Sequence, residues 1–180
     1  ERKIMDEKQM KEKLIFLSEK IKNDKQLSDF VIIGIKRRGA VLADRIKKLI
    51  GKENLDVGYL DISLYRDDLS KIGPNPIISQ TDILFSIDDR KVLLVDDVLY
   101  TGRTVRAALD AIFDFGRPSL IKLLVFIDRG HKELPICADY VGEEVKTKKS
   151  DIVEVKVKEI DGVDEVVIVE RKWSGKEKIW

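Results

Sequence analysis

The apolar run Val92-Leu93-Leu94-Val95 stops on two adjacent acids, Asp96 and Asp97, and Thr101-Gly102-Arg103-Thr104 follows as the opening of a helix. An apolar, β-branched run of this kind reads as a strand buried on both faces, which requires helices packed on either side of a parallel sheet. Where such a strand turns into a helix, backbone N–H groups and the positive helix end converge on one point, a ready phosphate site. Thr101 and Thr104 add hydroxyl donors, and Gly102 lets the backbone come close to a ligand. Each hydrogen bond to a charged group contributes about 1.5–3 kcal/mol, so several together hold a phosphate monoester. The two acids need another partner, because carboxylates repel phosphate. Ribose hydroxyls and a hydrated Mg2+ both suit Asp96 and Asp97. The segment therefore reads as a sugar-phosphate site, with the acids on the diol or the metal and the amides from Tyr100 to Thr104 on a 5′-phosphate. An Asp-Asp strand end alone is a weaker signal, since other nucleotide-binding strands end in acids and a threonine there can be a plain helix cap.

The rest of the chain supplies the sheet that this segment demands. Met10, Leu14, Leu17 and Ile21 recur at helical spacing and predict an amphipathic helix over residues 6–23. Phe30 to Ile35 is a short buried-type strand ending at Lys36-Arg37-Arg38-Gly39, and a helix follows from Ala40 to about Ile50. Val57 to Leu64 alternates as a strand, and residues 66–80 form a long polar loop carrying Pro and Gly. Lys91 to Val95, Leu120 to Ile127, Ile152 to Val157 and Val163 to Val169 are further strands, with a helix from Thr104 to Phe115. Strands alternating with helices predict an α/β fold with a central, mostly parallel sheet, and ligands in such folds sit at the carboxyl ends of the strands. Three loops at those ends, 36–39, 96–104 and 128–132, carry the unusual chemistry. At 180 residues the chain fits one domain, 1–180, with room for a small subdomain.

Composition narrows the partners. Thirty-four basic residues stand against 33 acidic ones, a formal net charge of +1, so any nucleic-acid surface must be local. No apolar run approaches the roughly 18 residues of a membrane span, and Glu1-Arg2-Lys3-Ile4 lacks the apolar stretch of a secretory signal. Cys137 is the single cysteine, which excludes an internal disulfide and suits a reducing cytoplasm.

Val92 to Thr104 as a whole resembles the phosphoribosyl-pyrophosphate signature of type I phosphoribosyltransferases. That resemblance implies the type I fold with a small hood, formed by the N- and C-terminal segments, and it implies 5-phosphoribosyl-1-pyrophosphate (PRPP) with Mg2+ as ligands. It assigns Asp96, Asp97, Val98, Leu99, Tyr100, Thr101, Gly102, Arg103 and Thr104 to the substrate site. It also places the loop with Arg37 and Arg38 on pyrophosphate, where guanidinium forks match phosphate oxygens. The long loop beginning Tyr65-Arg66-Asp67-Asp68-Leu69-Ser70 corresponds to a closing lid. Arg66 is the candidate for its basic catalytic residue and Lys71 the second choice.

Four segments together narrow the family. They are Tyr65 to Ser70, Val92 to Arg106, Phe115-Gly116-Arg117-Pro118, and Asp128-Arg129-Gly130-His131-Lys132-Glu133-Leu134-Pro135-Ile136 with Ala138-Asp139-Tyr140. They resemble the bifunctional pyrimidine operon attenuation protein/uracil phosphoribosyltransferase family. The resemblance implies conversion of uracil and PRPP to UMP and pyrophosphate. It also implies UMP- or UTP-dependent binding of the pyrimidine operon leader mRNA, which promotes transcription termination. Arg129 and Val153 would line the uracil end. Candidate RNA contacts are His131, Lys132, Lys148 and Lys149, with Lys20, Lys22, Lys25 and Lys146 as further basic positions. Cys137 stands where relatives commonly carry Arg, in a region linked to RNA contact. A homodimer or higher homo-oligomer is expected. Two other readings share the central motif: a hypoxanthine-guanine phosphoribosyltransferase, and an RNA-binding regulator without significant enzyme activity.

Overall fold

The computed structural model describes residues 1–63 and 81–170. In chain order the elements are β1 (Arg2–Met5), α1 (Glu7–Asn23), β2 (Phe30–Ile35), α2 (Arg38–Ile50), β3 (Val57–Leu60), β4 (Lys91–Leu99), α3 (Arg103–Phe113), β5 (Leu120–Asp128), β6 (Tyr140–Glu144), β7 (Ile152–Lys156), α4 (Lys158–Asp161) and β8 (Glu165–Val169). α1 starts at a capping box. The Asp6 carboxylate accepts the Gln9 amide at 2.8 Å, and the Gln9 side chain accepts the Asp6 amide at 2.9 Å. Its buried stripe, Met10, Leu14, Leu17, Ser18 and Ile21, faces the core.

β2 to β6 form a parallel sheet in the order β3-β2-β4-β5-β6. Because side chains alternate along a strand, the sheet feeds two cores. Ile32, Leu93, Val95, Leu124 and Phe126 pack with α1 and α2 on one face. Val31, Ile33, Val92, Leu94, Leu123 and Val125 pack with α3 on the other. Fully burying each such side chain contributes about 1.5–3 kcal/mol. A second sheet, antiparallel in the order β1-β8-β7, joins the first strand to the last two, and β7 packs against β4. This small sheet, with α4 between its last two strands, is called the hood.

Several boundaries differ from the sequence reading. β4 does not stop at Val95. It runs through both acids to Leu99, with Asp96 opposite Val125 and Val98 opposite Ile127. Backbone pairing with β5 is indifferent to side-chain charge, so the strand itself carries the acids. β3 ends at Leu60, and α2 begins at Arg38, two positions before the apolar periodicity starts. β1 and β6 were not anticipated. Each is short with a polar outer face, and only pairing partners distant in sequence make them strands.

Candidate active site

The cleft opens at the carboxyl ends of β2, β3 and β4, a volume of about 320 Å3 lined by Lys36, Arg37, Arg38, Gly39, Asp61, Ser63, Asp96, Asp97, Val98 and Thr104 among others. Two of the three loops singled out from sequence thus meet in one place. Gly39 makes that meeting possible: a Cβ on it would lie 2.7 Å from the Val95 carbonyl oxygen and 3.1 Å from Asp96 Cα. The first turn of α2 therefore touches the backbone of β4 at the acids. The peptide between Lys36 and Arg37 is cis.

Asp96 is buried and Asp97 half-buried. Asp96 Oδ1 accepts the Asp97 amide at 2.9 Å, and Asp97 Oδ1 accepts the Val98 amide at 2.8 Å. Burial, then the charge of Asp97, pushes the Asp96 carboxyl well above the usual carboxylate range. Burial also raises Asp97, against the pull of Arg38 nearby, and a hydrogen bond between the two carboxyls favours the proton on Asp96. The more accessible Asp97 is thus the better anion of the pair.

After Leu99, which is buried in the second core, the chain turns into α3. Gly102 takes the left-handed conformation, φ 91°, as the helix N-cap. Among the described residues no acceptor meets the amides of Tyr100, Thr101, Gly102 or Thr104. The Thr101 carbonyl is used instead, accepting the Glu133 and Leu134 amides at 2.9 and 3.2 Å. Thr101 Oγ1 accepts the Arg103 amide at 3.3 Å, and the Arg103 side chain pairs with Glu133, also at 3.3 Å. The loop is anchored by its carbonyls while amides on its other side stay open, which is the arrangement a phosphate needs.

Arg37 is exposed, whereas Arg38 is committed to the hood, donating to both oxygens of Asp161 at 3.1 and 2.7 Å. Arg129 is buried beneath Tyr100, its guanidinium 4.0 Å from the ring centroid. It donates to the carbonyls of Asp151 at 2.6 Å and Lys148 at 2.9 Å, so it holds the segment before β7 in place. Its Nε has no partner among the described residues, and burial lowers its pKa. Val153 lies in the first core cluster, on β7. Tyr100 also donates to the Lys149 carbonyl at 3.2 Å and meets His131 edge-on.

His131 and Lys132 share a recess of about 600 Å3 with Lys146 and Thr147. His131 Nε2 lies 2.7 Å from the Thr147 carbonyl, and Lys132 pairs with Asp128 at 2.7 Å. Lys148 and Lys149 are exposed on the adjoining turn, and Lys149 Nζ is 4.0 Å from Glu133. The four candidate RNA contacts thus form one neighbourhood, partly neutralised by Asp128 and Glu133. Lys20 lies elsewhere, over the Phe16 ring of α1. Cys137 is exposed. Arg66 and Lys71 lie outside the described residues.

Sequence reasoning missed Asp61, Ser63 and Asp161. The first two line the cleft after β3, with Asp61 Oδ1 accepting both the amide and hydroxyl of Ser63 at 2.8 and 2.5 Å. Their signal was absorbed by reading Val57 to Leu64 as one strand. Asp161 carries no local signal at all.

A parallel sheet with acids and an open amide loop at its carboxyl edge, under an antiparallel hood, defines a phosphoribosyltransferase. The Phosphoribosyl transferase domain family matches residues 2–160. The hypoxanthine phosphoribosyltransferase of Staphylococcus aureus superposes with a TM-score of 0.70 at 19% identity, covering 92% of this chain and 90% of that one. The Trypanosoma cruzi hypoxanthine phosphoribosyltransferase gives 0.70 at 17%, covering 96% and 98%. At these identities the likeness establishes the fold and no base specificity. Bifunctional protein PyrR of Clostridium botulinum is 54% identical over 92% of this chain and 94% of its own length. The same protein of Acetivibrio thermocellus is 51% identical over 92% of each. The chain belongs to the PyrR family of phosphoribosyltransferases.

Proposed function

We propose that the protein is a regulator of pyrimidine biosynthesis that is also a uracil phosphoribosyltransferase. It converts uracil and PRPP to UMP and pyrophosphate. With UMP or UTP in the same cleft, it binds the pyrimidine operon leader mRNA and promotes transcription termination. The observation that carries the reading is the open amide loop at Tyr100–Thr104 beside Asp96 and Asp97, in a chain about half identical to PyrR over its length.

In this reading the loop amides and the Thr101 and Thr104 hydroxyls hold the 5′-phosphate, and Asp97 faces the ribose hydroxyls. Uracil N1 attacks the anomeric carbon as the bond to pyrophosphate breaks, pyrophosphate departs with the bonding electron pair, and the N1 proton passes to solvent. The transition state has oxocarbenium character, so catalysis is positioning plus charge stabilisation. Arg37 and Arg38 take up charge developing on pyrophosphate, and the acid pair lies where the ribose becomes positive. Arg129, under Tyr100, and Val153 shape the uracil end. Among the described residues there is no cluster of three or more metal-ligating side chains. Asp96 and Asp97, each with one oxygen not bonded to a backbone amide, still fit a hydrated Mg2+, which needs one or two carboxylates plus substrate phosphates. When bound, Mg2+ supplies neutralising charge to the pyrophosphate.

His131, Lys132, Lys148 and Lys149 form the RNA-contacting neighbourhood, and the chain acts as one domain in a homodimer or larger homo-oligomer. The substrates and a nascent mRNA place it in the cytoplasm. Among the described residues no helix is long and apolar enough to cross a membrane. The test is conversion of labelled uracil to UMP with Mg2+, hypoxanthine serving as the rival substrate. It is paired with a gel-shift series on a pyrimidine-leader stem-loop across UMP concentration. Nucleotide formed from hypoxanthine with uracil inert, or RNA affinity flat across UMP, would contradict the corresponding half.

A further inference from the structure

Arg38 is the first residue of α2 and lines the cleft, yet its firmest partner belongs to the hood. Nε donates to Asp161 Oδ2 at 3.1 Å and Nη2 to Asp161 Oδ1 at 2.7 Å. Such a fork-to-fork pair fixes both the position and the plane of a guanidinium. The carboxylate is itself held, because Asp161 Oδ2 also accepts the Val157 amide at 2.9 Å across the turn of α4. A guanidinium has five N–H donors. Asp161 takes one from Nε and one from Nη2, and the other donors have no partner among the described residues on a side chain that lines the cleft with Asp97.

The pair is not needed merely to dock α4. Arg45, two helical turns further along α2, already clamps the same region through Glu159 at 2.5 Å and Asp164 at 2.7 Å. Of these two attachments between α2 and the hood, the one at Arg38 lines the cleft and the one at Arg45 does not.

We propose that Asp161 is a positioning residue for the transferase reaction. It pre-orients Arg38 so that the free edge of the guanidinium meets the pyrophosphate of PRPP, without itself touching substrate. The inference rests on the proposed reaction for the identity of the ligand. Without Asp161 the side chain samples several rotamers, and binding must order it again.

The test compares wild type with Asp161→Asn, which keeps the shape but loses the charge. Calorimetric titrations with Mg2+-pyrophosphate and with UMP are read beside steady-state kinetics. Pyrophosphate affinity is expected to weaken about tenfold, as for loss of one charged hydrogen bond, and the KM for PRPP to rise to match. Affinity for UMP and the KM for uracil stay within twofold. Glu159→Gln, on the same short helix but without contact to Arg38, leaves all four unchanged. Equal or tighter pyrophosphate binding in Asp161→Asn overturns the proposal, as does equal loss of UMP affinity. If Asp161→Asn does not fold, Arg38→Lys decides, since one ammonium cannot reproduce the fork. The same tenfold loss supports the role and wild-type affinity refutes it. A wild-type protein that binds pyrophosphate in this pattern but leaves uracil unconverted would contradict the assigned reaction and leave the positioning role standing.

Discussion

Gly39→Ala is the sharpest single probe of how the site is assembled. The added methyl would lie 2.7 Å from the Val95 carbonyl oxygen, where ordinary contact begins near 3.4 Å. Both neighbours are backbone, Val95 O and Asp96 Cα, so no side chain can swing aside. The first turn of α2 must therefore retreat from β4 by roughly 0.7 Å, taking Arg37 and Arg38 with it. Overpacking of this kind costs about 1–3 kcal/mol of stability. A shift approaching 1 Å in a positioning loop lowers turnover by as much as about a hundredfold. Urea denaturation and kcat/KM for PRPP measure the two effects, and the activity loss is expected to exceed what reduced stability explains. Gly51→Ala is the control. Gly51 is the α2 C-cap at φ 71° with nothing within 4 Å, so it costs about 1 kcal/mol from backbone conformation alone and leaves activity intact. A Gly39→Ala protein within about 0.5 kcal/mol of wild type, with unchanged KM for PRPP, would refute the close contact between loop and strand.

Other predictions follow from the charges. Asp97→Asn should cut UMP synthesis at least about tenfold, as loss of a charge-stabilising group does. Asp96→Asn should raise stability at neutral pH by about 1 kcal/mol, because it removes a carboxylate that burial disfavours while still accepting the Asp97 amide. The sign follows from the raised folded-state pKa of Asp96: native stability is lost as pH climbs from the unfolded value through the folded one, and the asparagine variant should lack that dependence in a chemical-denaturation series. Asp24 behaves oppositely. Hydrogen bonds from Lys122 and Tyr140 hold it down to about 2, so its contribution is complete above the unfolded pKa of 3.8 and fades as pH falls through about 2. Being near solvent, it is worth about 1 kcal/mol, which Asp24→Asn should remove at neutral pH in thermal melts. Arg129→Leu strips donors from the Lys148 and Asp151 carbonyls, so hydrogen exchange across residues 145–151 should accelerate well beyond that of β5. Equal protection in both segments would contradict the anchoring role of Arg129.

Much of the molecule was legible locally. Met10 to Ile21 announced α1 by spacing alone, and Phe30 to Ile35 announced β2 to the residue, because a strand buried on both faces must be continuously apolar. The turn at Tyr100–Thr104 was legible for a related reason: a strand-to-helix turn capped by a left-handed glycine is specified by a few consecutive residues. Strands whose identity depends on a partner far along the chain were not legible. Tyr140–Glu144 has a glycine and two acids in five positions, and β5 makes it a strand.

Taken alone, then, the sequence determined the strand–loop–helix with its open amides, the acids beside it, and the alternation that calls for a parallel sheet. All of these are encoded within windows of a dozen residues or so. Tertiary structure decided the rest: that β4 carries its acids as strand residues, that burial separates Asp96 from Asp97, and that Arg38 is held by Asp161 across 123 positions of sequence. Desolvation and charge pairing act through space, and the proximity they require exists only once the hood has closed over the sheet.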